Sequence, residues 1–120
     1  MALELGSRRR PQPAPPGVVF EALTEPRREG GRPWLDLADG ELEPTILVAE
    51  EPHRVVWSSL WPDRPHDRIE FELAPAGTGT DLRWTLLTPD EEAPSDAVLG
   101  RLRYRLNHLI NADLRYSFGQ

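Results

Sequence analysis

The chain has no cysteine and no lysine, and only one methionine, two tyrosines and three histidines in 120 residues. Without cysteine there is no disulfide scaffold, thiolate zinc site, thiol nucleophile or iron–sulfur cluster. Without lysine there is no Schiff-base amine, P-loop lysine or kinase-type lysine. All 14 basic residues are arginine, a bias read most simply as genomic base composition. No run of about 18 apolar residues occurs, which excludes a membrane-spanning helix. The amino end, MALELGSRRRPQP, lacks the apolar core of a secretory signal. These absences lead us to expect a cytoplasmic protein. A net charge of −6 runs against nucleic acid as the main partner, because phosphate binding wants a basic face. The chain has the length of one domain. It can bury roughly two thirds of its unfolded surface, so it needs neither metal nor disulfide to fold.

What is present is proline, tryptophan and alternating apolar residues. Thirteen prolines and four tryptophans punctuate and anchor the pattern. Residues 2–9, where Leu3 and Leu5 alternate with Glu4, read as a first strand, and Pro11, Pro13, Pro15 and Pro16 as a stiff connection. In PPGVVFEALTEP, Val18 and Val19 recur one turn later as Ala22 and Leu23, which predicts a short amphipathic helix stopped by Pro26. Residues 27–41 are loop-like, with turn signals at Gly30–Gly31 and Asp39–Gly40 and a brief strand expected in RPWLDL. Four runs then read as strands: PTILVAE, RVVWSSLW, RIEFELA and TDLRWTLLT. A hairpin turn at Gly77–Thr78 sets Leu73 against Leu82, Phe71 against Trp84, Ile69 against Leu86 and Glu72 against Arg83, a register that a one-residue slip would destroy. A turn at Pro52–His53 pairs Val48 with Val55 and Ile46 with Trp57. Carried through, this parity defines one inner face: Ile46, Val48, Val55, Trp57, Ser59, Trp61, Ile69, Phe71, Leu73, Leu82, Trp84 and Leu86.

Residues 96–117 form the longest regular segment. Ser95 is placed to cap it and Asp96 suits the positive end of its dipole. Leu99, Leu102, Leu106, Leu109 and Ile110 make the apolar stripe, while Arg101, Arg105, His108 and Arg115 point away. Arg103 and Asp113 interrupt the apolar arc. The stripe needs a partner, and the sheet's inner face supplies one, which makes the fold class α+β with the sheet wrapped on the last helix.

On APPGVVFEALTEP at 14–26, PWL at 33–35, VAEEPHRVVW at 48–57 and FELAPAGTGTDLRWTL at 71–86, the chain resembles the SRPBCC superfamily, closest to its Hsp90-ATPase-activator-homologue-like and polyketide-cyclase-like branch. The resemblance spans residues 2–118 and implies one domain over 1–120. It implies the helix-grip fold, START-like, with a curved antiparallel sheet of five to six strands, a short helix after the first strand and a hydrophobic cavity between sheet and last helix. Its motifs mark fold rather than chemistry. The superfamily includes lipid and hormone binders, cyclases and co-chaperone modules.

Several constellations are weighed on that frame. Trp57, Trp61, Phe71 and Trp84 are either plain core or the walls of a pocket for a flat or greasy ligand, with Trp34 near its mouth. Ser59, Arg103 and Asn107 are the polar groups that would orient a ligand, and Ile110 lines the helix side. Asp113, costly to bury unpaired, pairs with an arginine, caps backbone groups or faces water in a cavity; it is the one candidate for proton transfer in a cyclase-like reaction. His66, between Asp63 and Asp67 in DRPHDR, reads as a solvated turn. No set of three or four convergent ligands suggests a metal, and no cofactor is implied. Glu70 and Glu72 read as a solvated face, and GTGT at 77–80 as a turn. Leu47, Val56, Leu60 and Leu87 on the outer sheet face are a possible dimer surface. The leading expectation is binding of a hydrophobic or aromatic small molecule; a cyclase/aromatase-like enzyme and a co-chaperone-like interaction module are the alternatives.

Overall fold

The computed structural model describes residues 2–27, 29 and 33–119. Five strands, β1 (Leu3–Gln12), β2 (Ile46–Glu50), β3 (Arg54–Ser58), β4 (Arg68–Ala76) and β5 (Gly79–Thr88), form one curved antiparallel sheet in the order β1-β5-β4-β3-β2. Helix α1 (Pro16–Thr24) follows β1 and packs over β3, β4 and β5. Helix α2 (Asp96–His108) runs on through a π-helical turn (Leu109–Leu114) into a last α-helical turn, α3 (Arg115–Ser117). The α+β element order expected from the periodicities, and the helix-grip architecture that the resemblance implies, are the ones observed.

The β4–β5 register is the predicted one: Ile69 opposes Leu86, Phe71 opposes Trp84, Glu72 opposes Arg83 and Leu73 opposes Leu82. Gly77, with φ near +60°, supplies the left-handed residue that this hairpin needs. Gly79 has a second reason to be glycine. A Cβ there would lie 2.3 Å from the Gln12 carbonyl oxygen, so the strand can approach β1 only without a side chain.

Elsewhere the structure departs from the simple parity. A bulge between Ile46 and Val48 moves the partner of Val48 from Val55 to Val56, while Ile46 still opposes Trp57. Strand β1 extends beyond residue 9 to Gln12, through Pro11. An edge strand tolerates a missing N–H, and β1 is an edge. Strand β3 stops at Ser58, whose hydroxyl accepts from the Thr45 N–H at 2.7 Å. Beyond it the chain turns inward, so Leu60 is buried in the core rather than on the outer face. Val56 is also buried, Leu87 half-buried, and only Leu47, at 40 % exposure, is open on the expected outer patch. The described part of RPWLDL, residues 33–37, is not a strand; the Gly30–Gly31 turn lies outside the described residues.

Ser95 caps the long helix as expected, its Oγ accepting from the Val98 N–H. Of the expected stripe, Leu102, Leu106, Leu109 and Ile110 are fully buried against the sheet, joined by Leu114, while Leu99 is only half-buried. No helix among the described residues is long and apolar enough to cross a membrane.

Candidate functional site

The four tryptophans sit in different settings. An α-helix leaves its last carbonyls without intrahelical partners, and two indoles serve α1 in this way. Trp34 Nε1 donates to the Ala22 carbonyl at 3.0 Å and Trp57 Nε1 to the Leu23 carbonyl at 2.9 Å. The two rings stack at 5.9 Å between centroids, and Trp57 meets Phe71 edge to face at 4.8 Å. Trp57 and Phe71 are fully buried. Ser59, also buried, uses its hydroxyl locally: Oγ accepts from the Trp61 N–H at 3.0 Å and donates to the Trp61 carbonyl at 3.3 Å. The interior beneath α1 is therefore occupied by rings packed on rings, with their polar atoms bonded to backbone.

A second cluster holds the segment after α1 against the long helix. Glu41, whose side chain is 7 % exposed, pairs with Arg105, 19 % exposed, through contacts of 2.9–3.1 Å. The same carboxylate accepts from the Ala38 N–H at 2.8 Å and from the Trp61 indole at 3.2 Å, and Arg105 also donates to the Asp36 carbonyl. Burial pushes the Glu41 carboxyl up, but the bonds and charge of Arg105, with the Ala38 and Trp61 donors, hold it below its ordinary value. Those bonds to Glu41 in turn push the guanidinium up. Arg105, expected on the solvent face, is thus a correction. The face of the helix opposite the sheet is partly covered by residues 36–41, and nothing in the periodicity of DGELEP announces it.

This clamp positions an open cleft of about 560 Å³ between the 33–36 segment and the end of the last helix, lined by Trp34, Leu35, Asp36, Asp113 and Tyr116 with Arg27, Pro33 and Ser117 at its edges. A π-helical turn has a wider repeat than an α-helix and is frequent at functional sites. Here it brings His108 and Asp113, five apart, onto one side: His108 Nε2 lies 3.6 Å from Asp113 Oδ1. Burial pushes the Asp113 carboxyl above its ordinary range, and the charge of Asp36 adds to this, while His108 and Arg105 pull the other way. Of the residues singled out in the sequence, Trp34 and Asp113 share this cleft. Asp36, Arg27, Leu35 and Tyr116 were not singled out; the first three follow from the path of a loop that shows no periodicity, and Tyr116 comes from the end of the last helix.

The remaining nominated residues lie elsewhere. Asn107 accepts from Arg10 Nε at 2.6 Å, and Arg103 Nε donates to the Leu5 carbonyl at 2.7 Å, both across the seam between β1 and the helix. Ile110 is buried, and its carbonyl accepts from Gln12 Nε2 at 3.1 Å. In DRPHDR, His66 is exposed, but Asp67 is buried and paired with Arg64, a correction to the fully solvated turn. Among the described residues no group of three or more His, Asp or Glu side chains could hold a metal ion.

A five-stranded antiparallel sheet closed by a short helix and gripped by one long carboxy-terminal helix defines the fold as the helix-grip fold of SRPBCC-type proteins. Solved structures agree. CalU16 from Micromonospora echinospora superposes with a TM-score of 0.69 at 23% identity, covering 94% of this chain and 73% of that one. The AHSA1-like protein RHE_CH02687 from Rhizobium etli gives 0.64 at 19% identity, covering 100% and 84%. DynU16, from the dynemicin biosynthetic locus, gives 0.68 at 20% identity over 94% of this chain, which spans only 46% of that longer one. No protein-family model and no curated protein matches the sequence.

Proposed function

We propose that this helix-grip protein binds a small, largely apolar molecule carrying a hydrogen-bond donor, in the cleft between the 33–36 segment and the end of the last helix. The observation that carries the reading is the cleft itself. Its volume of about 560 Å³ lies in the range of small-molecule sites, roughly 300–1,000 Å³. Its lining combines Trp34, Leu35 and Tyr116 with the carboxylates of Asp36 and Asp113. Apolar walls with a few convergent polar groups are what such sites use to hold and orient a ligand. In this reading Trp34 contacts the ligand and Trp57, stacked behind it, keeps it in place. The buried Ser59, Trp61, Phe71, Trp84 and Ile110 would meet a ligand only if the interior opened.

The test is a panel of aromatic and fatty compounds added to the intact chain. At least one is expected to raise Tm and change tryptophan fluorescence saturably, and Tyr116→Ala, at a site 63 % exposed, should weaken that response without loss of fold. A panel that moves neither Tm nor fluorescence overturns the reading. A cyclase-like enzyme is the second reading, favoured by one observation: a carboxyl group raised by burial faces the cleft, as a proton-transfer group should. In that case Asp113→Asn would abolish turnover while ligand still binds.

A further inference from the structure

We infer a second site, for a small oxyanion, in the groove where β1 meets the carboxy-terminal helix. The bulge of β1 between Glu4 and Gly6 leaves Leu5 without an opposed residue on β5, and Arg103 Nε donates to the Leu5 carbonyl at 2.7 Å. Gly6 makes room for this. A Cβ there would lie 2.8 Å from Arg103 Nε and 3.0 Å from its Cγ, so only glycine lets the arginine lie flat across the strand. One N–H of the guanidinium is thereby fixed, while its terminal Nη groups have no hydrogen-bond or acidic partner among the described residues. Arg8, two residues after Gly6 on the same face of β1, pairs across the ladder with Trp84 and likewise makes no hydrogen bond or ion pair among the described residues. Arg8, Arg103, Gly6, Ser7 and Trp84 together line a cleft of about 310 Å³.

The third member supplies an independent observation. Trp84 is 1 % exposed, and its indole N–H has no hydrogen-bond partner, a state that folded proteins seldom leave uncompensated. Two guanidinium groups without an acidic partner among the described residues thus line one groove together with a residue whose buried indole N–H is unsatisfied. In a chain of net charge −6, Arg9, Arg27, Arg54, Arg64, Arg101 and Arg105 have carboxylate partners; of the described arginines that have none, Arg8 and Arg103 are the two that line one cleft. Guanidinium forks match carboxylate and phosphate oxygens through paired N–H bonds, so the ligand class is a carboxylate or phosphate group on a small molecule. This site is separate from the cleft beside Asp113 and does not depend on it.

The test uses uniformly ¹⁵N-labelled full-length chain at constant ionic strength, titrated in separate arms with inorganic phosphate and with benzoate, sodium chloride serving as the control. The indole N–H resonance of Trp84, assigned with Trp84→Phe, should shift saturably in at least one arm and not with chloride; the responding arm identifies the class. Arg8→Gln removes a side chain with no bond to the fold and should weaken the apparent affinity about tenfold, as loss of one charge-assisted contact does. Arg103→Gln should do the same or more, and Arg68→Gln, an exposed arginine of β4 outside the cleft lining, should leave it unchanged. No saturable shift in either arm, or equal affinity in Arg8→Gln and the parent, overturns the site.

Discussion

Two stretches of one sheet face meet their helices by different means. Beneath α1, strands β3 and β4 present Val55, Trp57, Ile69 and Phe71, and the helix answers with Val19, Phe20 and Leu23. Along β1 the same face carries Arg8, Arg10 and Gln12, and the long helix answers with Arg103, Asn107 and the Ile110 carbonyl. The first contact excludes water and derives its stability from apolar area. The second consists of directional bonds, each of which contributes little net free energy and leaves donors over. Where the core is dry the fold has no spare chemistry, and where the seam is polar and the loops open it has clefts.

The sharpest way to break the comparison is to empty the dry side. Trp57→Ala removes the edge contact with Phe71, the stack with Trp34 and the bond to the Leu23 carbonyl. A loss of about 3–5 kcal/mol in urea unfolding is expected. If the loss is under about 1 kcal/mol, the ring is not a packed core element and the interior is looser than its contacts imply. Next in size is the clamp that builds the cleft. Glu41→Gln keeps the shape but leaves Arg105, Ala38 and the Trp61 indole with a neutral acceptor, at a cost of about 1–3 kcal/mol near pH 7. The sign follows from the lowered carboxyl. Its stabilising contribution is fully present above the ordinary value of 4.5 and is lost as pH falls through the lower folded value. The deficit of the variant should therefore shrink when the pair is compared at pH 3.5 rather than pH 7.

These two sites also mark how far the sequence could be read. Trp57 was legible because strand parity and a hairpin register constrain every residue on a face at once, and the observed β4–β5 pairs repeat that register. Parity fails where a single residue is inserted. The bulge at Leu47 moved Val48 to a new partner, and the turn after Ser58 carried Leu60 inward. Glu41 and Arg105 were illegible for another reason. Their pairing spans 64 residues and depends on a loop without periodicity folding over the helix, so neither local propensity nor amphipathic pattern contains it. The site followed the same division: Asp113 stood out as a charge in the helix's apolar arc and Trp34 as an addition to the aromatic cluster, while Asp36, Leu35 and Tyr116 entered with the loop and the helix end.

On the polar seam, Asn107→Ala removes the acceptor of Arg10 Nε. Because Arg10 and Asn107 are only half-buried, water can replace the bond, and a loss of about 0.5–1 kcal/mol is expected by urea unfolding. A loss as large as that of Trp57→Ala would erase the contrast between the two halves.

The smallest effect has the opposite sign. Asp113 is 23 % exposed in its side chain and its carboxyl is raised, so folding favours its protonated form. A raised acid contributes stability below its unfolded value and loses it as pH rises through the folded value. Ionised Asp113 is therefore a net cost at pH 7, partly offset by the charge of Arg105. Asp113→Asn should unfold at slightly higher urea than the parent at pH 7, by about 0.5 kcal/mol or less for so accessible a group. The gap should close at pH 3.5, where the parent carboxyl is itself protonated. If the variant is instead the less stable at pH 7, the contacts of the carboxylate with its neighbours outweigh burial, and Asp113 belongs to the scaffold rather than to the cleft. A destabilising carboxylate retained in the lining of this cleft fits the proposal that it serves what enters there, and the direction of this one difference decides whether that reasoning applies.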